Sequence, residues 1–374
     1  MKILFLPIID MNKTLGSVSL TNALGNAISS AYGKENVDIM VVDSNIKWRC
    51  SNIFRQKKYN FLSKVCNMFI GYSIFWGHND TVNLISILSK KHYDIVFFGK
   101  PDSGKLPKII KKKFPNIRLI NFVHDNYPQI LSNYSTQKKK LSIKSKLYIK
   151  NLAKSEKTAL DFSDLNFVFN SRERDSMIKW FGIEPDGLVP MFLEDRYNPM
   201  YVKPNHNELR ILFVGAYLAV NIEGIIWFYK NVFQHLQIES KLTIVGSGME
   251  LLKTEIKDSR VEIYGKVNSL TEYYQNTDLV VGPIFSGTGM KTKTAEALMY
   301  KKIILGTKEC FEGYESIPDF WRCNNEHDYL DKLLYYSSHD FTKEEALARQ
   351  IYEEKYSEQA ASIKLREVIN GKSK

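Results

Sequence analysis

Between Gly287 and Glu296 the chain reads G-T-G-M-K-T-K-T-A-E, placing two glycines, two lysines and one carboxylate in close succession. Gly287 and Gly289 leave backbone N–H groups uncovered, and Lys291 and Lys293 add full positive charges beside them. If this loop opens a helix, the positive end of the helix dipole joins them, and the whole suits an anion such as a phosphate. Thr288 and Met290 complete the loop. Glu296, at the foot of the basic run, can accept hydrogen bonds from the vicinal hydroxyls of a ribose or a sugar. An anion site beside a polyol site is what a nucleotide-sugar requires. Glycine loops that end strands are common in α/β proteins, and lysines at helix starts are often only solvated, so the surrounding elements must decide.

Those elements repeat a pattern. The loop follows the apolar run Leu279 to Val281, which ends at Gly282 and Pro283, and it precedes an apolar-periodic helical segment through Ala297. Leu209 to Val214 likewise ends in Gly215, Lys241 to Val245 in Gly246, Val261 to Tyr264 in Gly265, and Ile303 to Leu305 in Gly306. Strands ended this way predict an open parallel sheet whose carboxyl ends are approached closely, which is where ligands of such sheets bind. Gly215 is expected either to border donor phosphates or simply to turn the chain. Gly246, with Gly248, reads as a turn of the same kind, and backbone groups around Gly265, Lys266 and Val267 can read a base edge. Asn221 is expected to cap the helix that carries Ile225, Phe228 and Val232, and Asn268 or Ser269 a short helix after Gly265.

The first half alternates in the same way. Strands are predicted at Lys2 to Leu6, Val37 to Val42, Asp94 to Phe98, Ile117 to Val123 and Leu165 to Phe169, with helices between them, the last from Arg172 to Phe181 with Ser171 and Arg174 at its start. Continuous apolar strands between helices predict a doubly wound sheet covered on both faces. Lys47 to Val82 is the least regular part and is read as one or two inserted helices. Within it Phe61 to Trp76 is either a buried helix or an apolar face for a membrane or lipid tail. Two polar groups are expected at strand ends: His124 with Asp125 and Asn126, and the loop of Asp10, Asn12, Lys13, Thr14 and Gly16. The stretch from Gly182 to Glu208, with Pro185, Pro190, Pro199 and Pro204, has no period and reads as a linker. The predicted organisation is therefore two doubly wound α/β domains facing a central cleft, at 1–190 and 191–354, with a C-terminal helix at 355–374 packing back on the first. The charged, periodic run from Glu344 to Ile369 reads as one or two helices.

The 374 residues carry 52 Lys and Arg against 41 Asp and Glu, a formal charge of +11, which calls for an anionic partner: nucleic acid, an anionic membrane surface or a phosphorylated substrate. Lysines cluster at Lys111, Lys112, Lys113 and at Lys138, Lys139, Lys140. Cys50, Cys66, Cys310 and Cys323 are too widely spaced for a zinc site or a disulfide scaffold, so a reducing compartment and no metal are expected. The N-terminal run broken by Pro7 and Asp10 is read as a strand and not as a signal peptide, which with the lack of a membrane-length apolar stretch predicts a cytoplasmic protein.

In combination, the motifs from Ile211 to Thr307 resemble a family. They are F-V-G, then N-x-x-G-x-x-W-F at Asn221 to Phe228, V-G at Val245 and Gly246, G-x-V at Gly265 to Val267, and P-x-x-x-G-x-G-x-K-x-K-x-x-E-A-L ending at Leu298. The chain is similar to the GT-B glycosyltransferases of the retaining family 4, usually called glycosyl transferases group 1. The first half is less similar, with F-V-H-D and F-N-S-R-E-R as its recognisable points. The resemblance implies that the second domain binds a nucleotide diphosphate sugar of UDP, GDP or ADP type and the first a glycan or lipid-linked acceptor. It implies transfer with retention, in the synthesis of a bacterial surface polysaccharide or lipopolysaccharide, with no cofactor required. It assigns Glu296 to the nucleotide ribose, Gly287, Thr288 and Gly289 to the diphosphate and sugar, Lys291 and Lys293 to the basic positions of that loop, and His124 to the side of the transferred sugar. Two departures stand out. Thr288 occupies the place where many relatives carry a second acid, and no Arg or Lys follows the F-V-G strand, which leaves Lys291 and Lys293 to neutralise the leaving diphosphate. Stabilising the charge that grows there lowers the barrier.

Two other classes fit parts of the pattern. A GT-B epimerase or phosphorylase shares the scaffold but needs different cleft groups. Nucleic-acid binding is suggested by the lysine clusters, yet aromatic residues are not interleaved with them as a stacking platform requires. The same basic first domain suits peripheral contact with an anionic membrane leaflet.

Overall fold

The computed structural model describes residues 1–7, 16–42, 49–56, 62–63, 66–67, 71–72, 76–100, 103–123, 143–287 and 289–371. The expectations for His124, Asp125, Asn126, Thr288, the loop from Asp10 to Thr14 and most of Phe61 to Trp76 lie outside them. The chain divides into two compact units, one made of Met1–Phe192 with Glu358–Lys374 and the other of Leu193–Ser357.

The first unit is built from β1 (Ile3–Leu6), α1 (Gly16–Tyr32), β2 (Val37–Val42), β3 (Asn52–Gln56), α2 (His78–Lys90), β4 (Ile95–Phe98), α3 (Leu106–Lys113), β5 (Arg118–Val123), α4 (Ile143–Asp161), β6 (Leu165–Val168), α5 (Ser171–Phe181) and β7 (Gly187–Leu188). Its strands form one parallel sheet in the order β3-β2-β1-β4-β5-β6-β7. β1 and β4, ILFL and IVFF, are buried along their whole length, as a parallel sheet covered on both faces demands.

Two strands depart from the sequence reading. β3 lies where inserted helices were expected. It is a largely exposed edge strand held by main-chain pairing to β2, from Asp38↔Asn52 to Val42↔Gln56, so it lacks an apolar run that would announce it. β7 is two residues long and falls inside the stretch read as linker. The α5 cap is Asn170, one residue before Ser171: its side chain accepts from the Glu173 N–H at 3.0 Å, while Glu173 Oε2 accepts from the Phe169 N–H at 3.0 Å.

The second unit holds β8 (Leu209–Val214), α6 (Ala219–Asn231), β9 (Ser240–Val245), β10 (Val261–Tyr264), α7 (Thr271–Gln275), β11 (Leu279–Gly282), α8 (Thr292–Met299), β12 (Ile303–Gly306), α9 (Glu326–Ser338) and α10 (Thr342–Ile351). Its parallel sheet has the order β10-β9-β8-β11-β12. The chain winds outward from β8 through β9 to β10, then returns to the other side of β8 as β11. The order therefore reverses between β8 and β11, and their carboxyl ends are where an open α/β sheet offers a crevice.

After α10 a π-helical turn at Tyr352–Tyr356 leads into α11 (Glu358–Ile369), which packs on α1 within the first unit. Ser30 Oγ donates to Glu358 Oε1 at 2.6 Å, and the Arg366 guanidinium donates to the Ala31 carbonyl. Among the described residues no helix is long and apolar enough to cross a membrane.

Candidate active site

The carboxyl ends of β8 and β11 lead into two segments that meet through one side chain. The segment after β8 turns at Gly215 and enters α6. The segment after β11 runs from Pro283 to Lys291 and enters α8. α6 crosses close to the exit of β11: a Cβ on Gly224 would stand 1.9 Å from the Pro283 carbonyl oxygen, so only glycine allows this approach. The loop glycines Gly287 and Gly289 have φ of 147° and 64°, and the tail of the loop is pinned where Tyr314 OH donates to the Lys291 carbonyl at 2.7 Å. Met290 is buried beneath it.

Asn221 joins the two segments. It was expected to cap a helix, but α6 already begins at Ala219 after a Leu218 cap position, and Asn221 lies inside the first turn. Its Nδ2 donates to the Ala216 carbonyl at 2.9 Å and its Oδ1 accepts from Lys293 Nζ at 3.0 Å. The amide lies against Gly215, where a Cβ would come within 2.9 Å of it. Lys293 is 7% exposed, with its amine 4.2 Å from the centroid of the Phe213 ring at the end of β8. Burial pushes its pKa down to about 8, against the opposing pull of Cys310 and Glu296.

Glu296 follows on the same face, three residues along α8. Tyr274 of α7 donates its hydroxyl to Glu296 Oε2 at 2.8 Å, and the Tyr274 ring stacks on Tyr300 at 4.8 Å. Burial raises the Glu296 carboxyl above the usual range, with the Tyr274 hydrogen bond and the charges of Lys293 and Arg196 acting in the opposite direction. With one oxygen fixed by a phenol, the carboxylate is aimed for a second donor such as a hydroxyl. Lys291 has a different setting: its amine pairs with Glu309 Oε1 at 2.8 Å and donates to the Gly289 carbonyl at 2.8 Å.

The turns after β8, β9 and β10 lie side by side. The Gly215 N–H donates to the Val245 carbonyl at 3.0 Å, and the Gly246 N–H to the Tyr264 carbonyl at 3.1 Å. Gly265 backs onto the Glu250 carboxylate, while Lys266 is exposed and Val267 half-buried at the rim of this row. In the turn that follows, Ser269 Oγ accepts from the Thr271 N–H at 3.2 Å, and the cap position of α7 is Leu270. Gly16 is the first residue of α1, in the first unit. The sequence reading did not single out Tyr274, Phe213, Tyr314 or Glu309. Phe213 entered only as the first residue of F-V-G; the others lie in no motif and are core or loop residues given a role by what they touch.

This arrangement, a buried amine at a glycine turn with a carboxylate three residues on, sits within the segment from 208 to 323 that matches the family model Glycosyl transferases group 1. The match covers the sheet of the second unit and the segments that leave it. The chain as a whole has two parallel sheets with interleaved helices, the fold of the GT-B glycosyltransferases. Among solved structures it is similar over 99% of its length to a glycosyltransferase from Rickettsia africae, covering 98% of that chain with a TM-score of 0.67 and 13% identity. It covers 100% of the lipopolysaccharide outer core galactosyltransferase WaaB, with all of its own length aligned, at a TM-score of 0.64 and 14% identity. It aligns over 99% of its length with all (100%) of Anabaena HepE in complex with UDP-glucose, at a TM-score of 0.64 and 12% identity. In sequence it is 26% identical over 127 residues to an uncharacterized 44.6 kDa protein in the cps region of Klebsiella pneumoniae. That match spans 30% of this chain and 32% of the relative, about a third of its length.

Proposed function

We propose that the chain is a retaining glycosyltransferase that moves a sugar from a nucleotide diphosphate sugar to a hydroxyl of a glycan or lipid-linked acceptor in the making of a bacterial surface polysaccharide or lipopolysaccharide. The observation that carries this reading is the pairing on α8 of Lys293 with Glu296 beside the turn at Gly215. The amine meets the charge of a diphosphate, and the carboxylate meets ribose hydroxyls. As the anomeric C–O bond breaks, negative charge grows on the leaving diphosphate, and an amine held in a buried site stabilises it without having to reorganise. The loop amides at Gly287 and Gly289 and the start of α8 add to it. The acceptor hydroxyl attacks from the side of the leaving group and passes its proton to a leaving phosphate oxygen, which preserves the anomeric configuration. Thr288 and His124 are the proposed neighbours of the transferred sugar, and Lys266 and Val267 of the base.

A UDP-type donor is the first candidate, because the fold is shared with a protein solved with UDP-glucose. The genomic setting of the sequence relative, a cps region, supports a capsular or related glycan as product. A thermal-shift screen of UDP, GDP and ADP and their sugars tests the reading: one nucleotide series is expected to stabilise the protein, through binding to the native state alone. No stabilisation by any of them at millimolar concentration would overturn it. Retention is tested by the anomeric configuration of the product by NMR. Vesicle flotation at low salt tests contact with an anionic membrane.

A further inference from the structure

The donor site as proposed needs its cation in one place, yet a lysine side chain has four rotatable bonds and a strongly hydrated head. Lys291 is steadied by the carboxylate of Glu309. Lys293 is steadied by an amide oxygen. We infer that Asn221 is a positioning residue that holds the Lys293 amine at the Gly215 turn, so that the lysine meets the donor's diphosphate without first being ordered. The inference rests on the reading of this site as a diphosphate site.

Three observations carry it. Asn221 uses both ends of its amide, donating to the Ala216 carbonyl and accepting from Lys293 Nζ, so the amine is tied to the turn that follows β8. The contact is allowed by Gly215, since a side chain there would collide with the amide. The amine also stands over the Phe213 ring, 4.2 Å from its centroid, which stabilises a cation but accepts no hydrogen bond of ordinary strength. An amide in this place has a consequence that a carboxylate would not. It orients the amine without neutralising it, so the charge is left for an anionic ligand.

The groups around Lys293 fix how this shows in pH. From α8 it faces Lys291 and Glu296, and Glu296 is held by Tyr274 of α7, whose hydroxyl is pushed well above its ordinary range. From the segment after β12 it faces Cys310, whose thiol is raised by burial. α6 and β8 present Asn221 and Phe213, neither of which titrates. Replacing the amide therefore changes the proton affinity of Lys293 in a direction set by what replaces it.

The test is calorimetric binding of UDP, or of GDP or ADP if the screen selects it, to the full chain from pH 6.5 to 9.5. In the native protein affinity is expected to fall as Lys293 loses its proton. Asn221→Ala removes the acceptor, and the fall is expected at lower pH, with binding about 10-fold weaker at neutral pH. Asn221→Asp supplies an anion, and the fall is expected at higher pH. In a Lys293→Met background neither change should have its effect, because Asn221 acts through the lysine. Opposite shifts that vanish in that background support the inference. Equal pH dependence in all variants, or an Asn221 effect undiminished by Lys293→Met, overturns it. If Asn221→Ala does not fold, Asn221→Asp alone reads its shift to higher pH and the dependence of that shift on Lys293. Wild-type protein that binds no nucleoside diphosphate overturns the inference and the reading of the site together.

Discussion

Lys291 and Lys293 stand two residues apart on one loop and meet opposite surroundings. Lys291 sits at the cap position of α8 with a carboxylate, Glu309, against its amine. Lys293 lies one step inside the helix, buried, with an amide oxygen and an aromatic face for company. In the bare sequence they are equivalent basic residues. In the fold one charge has a carboxylate directly against its amine, and the other is held by an amide oxygen in a desolvated place, which is where an incoming anion gains most from it. Burying such a charge costs the fold, and the cost appears as the lowered proton affinity of Lys293.

The sharpest way to break this comparison is to remove each lysine in turn. Lys293→Ala is expected to lower turnover on the order of 10²-fold, as removal of other donors to a developing anion does. Lys291→Ala should cost clearly less, and nucleoside diphosphate release under saturating donor reads both; equal losses would erase the distinction. Next in size is Glu296→Ala, expected to weaken nucleotide binding roughly 10-fold or more through lost charge-assisted hydrogen bonds, with Tyr274→Phe weaker in effect because it frees an oxygen without removing it.

The pH dependence follows with its sign. The ordinary lysine value of 10.5 falls to about 8 in the fold, so Lys293 is charged below pH 8 and neutral above it. Nucleotide affinity is therefore expected to be highest below that value and to decline as pH rises through it, measured by calorimetry, and Lys291→Ala, which removes a like charge that lowers the Lys293 value, should move the decline to higher pH. The same shift makes the side chain's contribution to stability rise with pH between the two values, since the unfolded state holds the proton longer. The smallest effect is expected from Glu309→Gln. Losing its charge removes one counter-charge from the Lys291 amine, and nucleotide binding should tighten by about two- to threefold, the scale of a partly exposed ion pair.

Much of this was legible in the sequence because the second unit states its fold in short apolar runs each closed by glycine. β8 to β12 fall where those runs lie, and the loop at Gly287 and the carboxylate at Glu296 announced themselves by residue type. β3 did not, because an edge strand draws its stability from main-chain pairing and shows no apolar signature. Asn221 was legible as important and illegible in role. An asparagine before an apolar period signals a cap, and only the actual helix start at Ala219 puts its amide toward Lys293. Tyr274 and Glu309 gave no signal at all, since the sheet and loops bring them to the site from 22 residues before Glu296 and 18 after Lys291.

The helix at Glu358–Ile369 has a consequence for how the molecule comes into being. It belongs to the first unit, against α1, yet it is translated after the whole of Leu193–Ser357. The second unit is one uninterrupted length of chain and can complete itself as it leaves the ribosome. The first must wait, with the α1 surface uncovered, until its neighbour in sequence has been made. Domains that emerge earlier usually finish earlier; here the order is reversed, and the half that is made first is finished last.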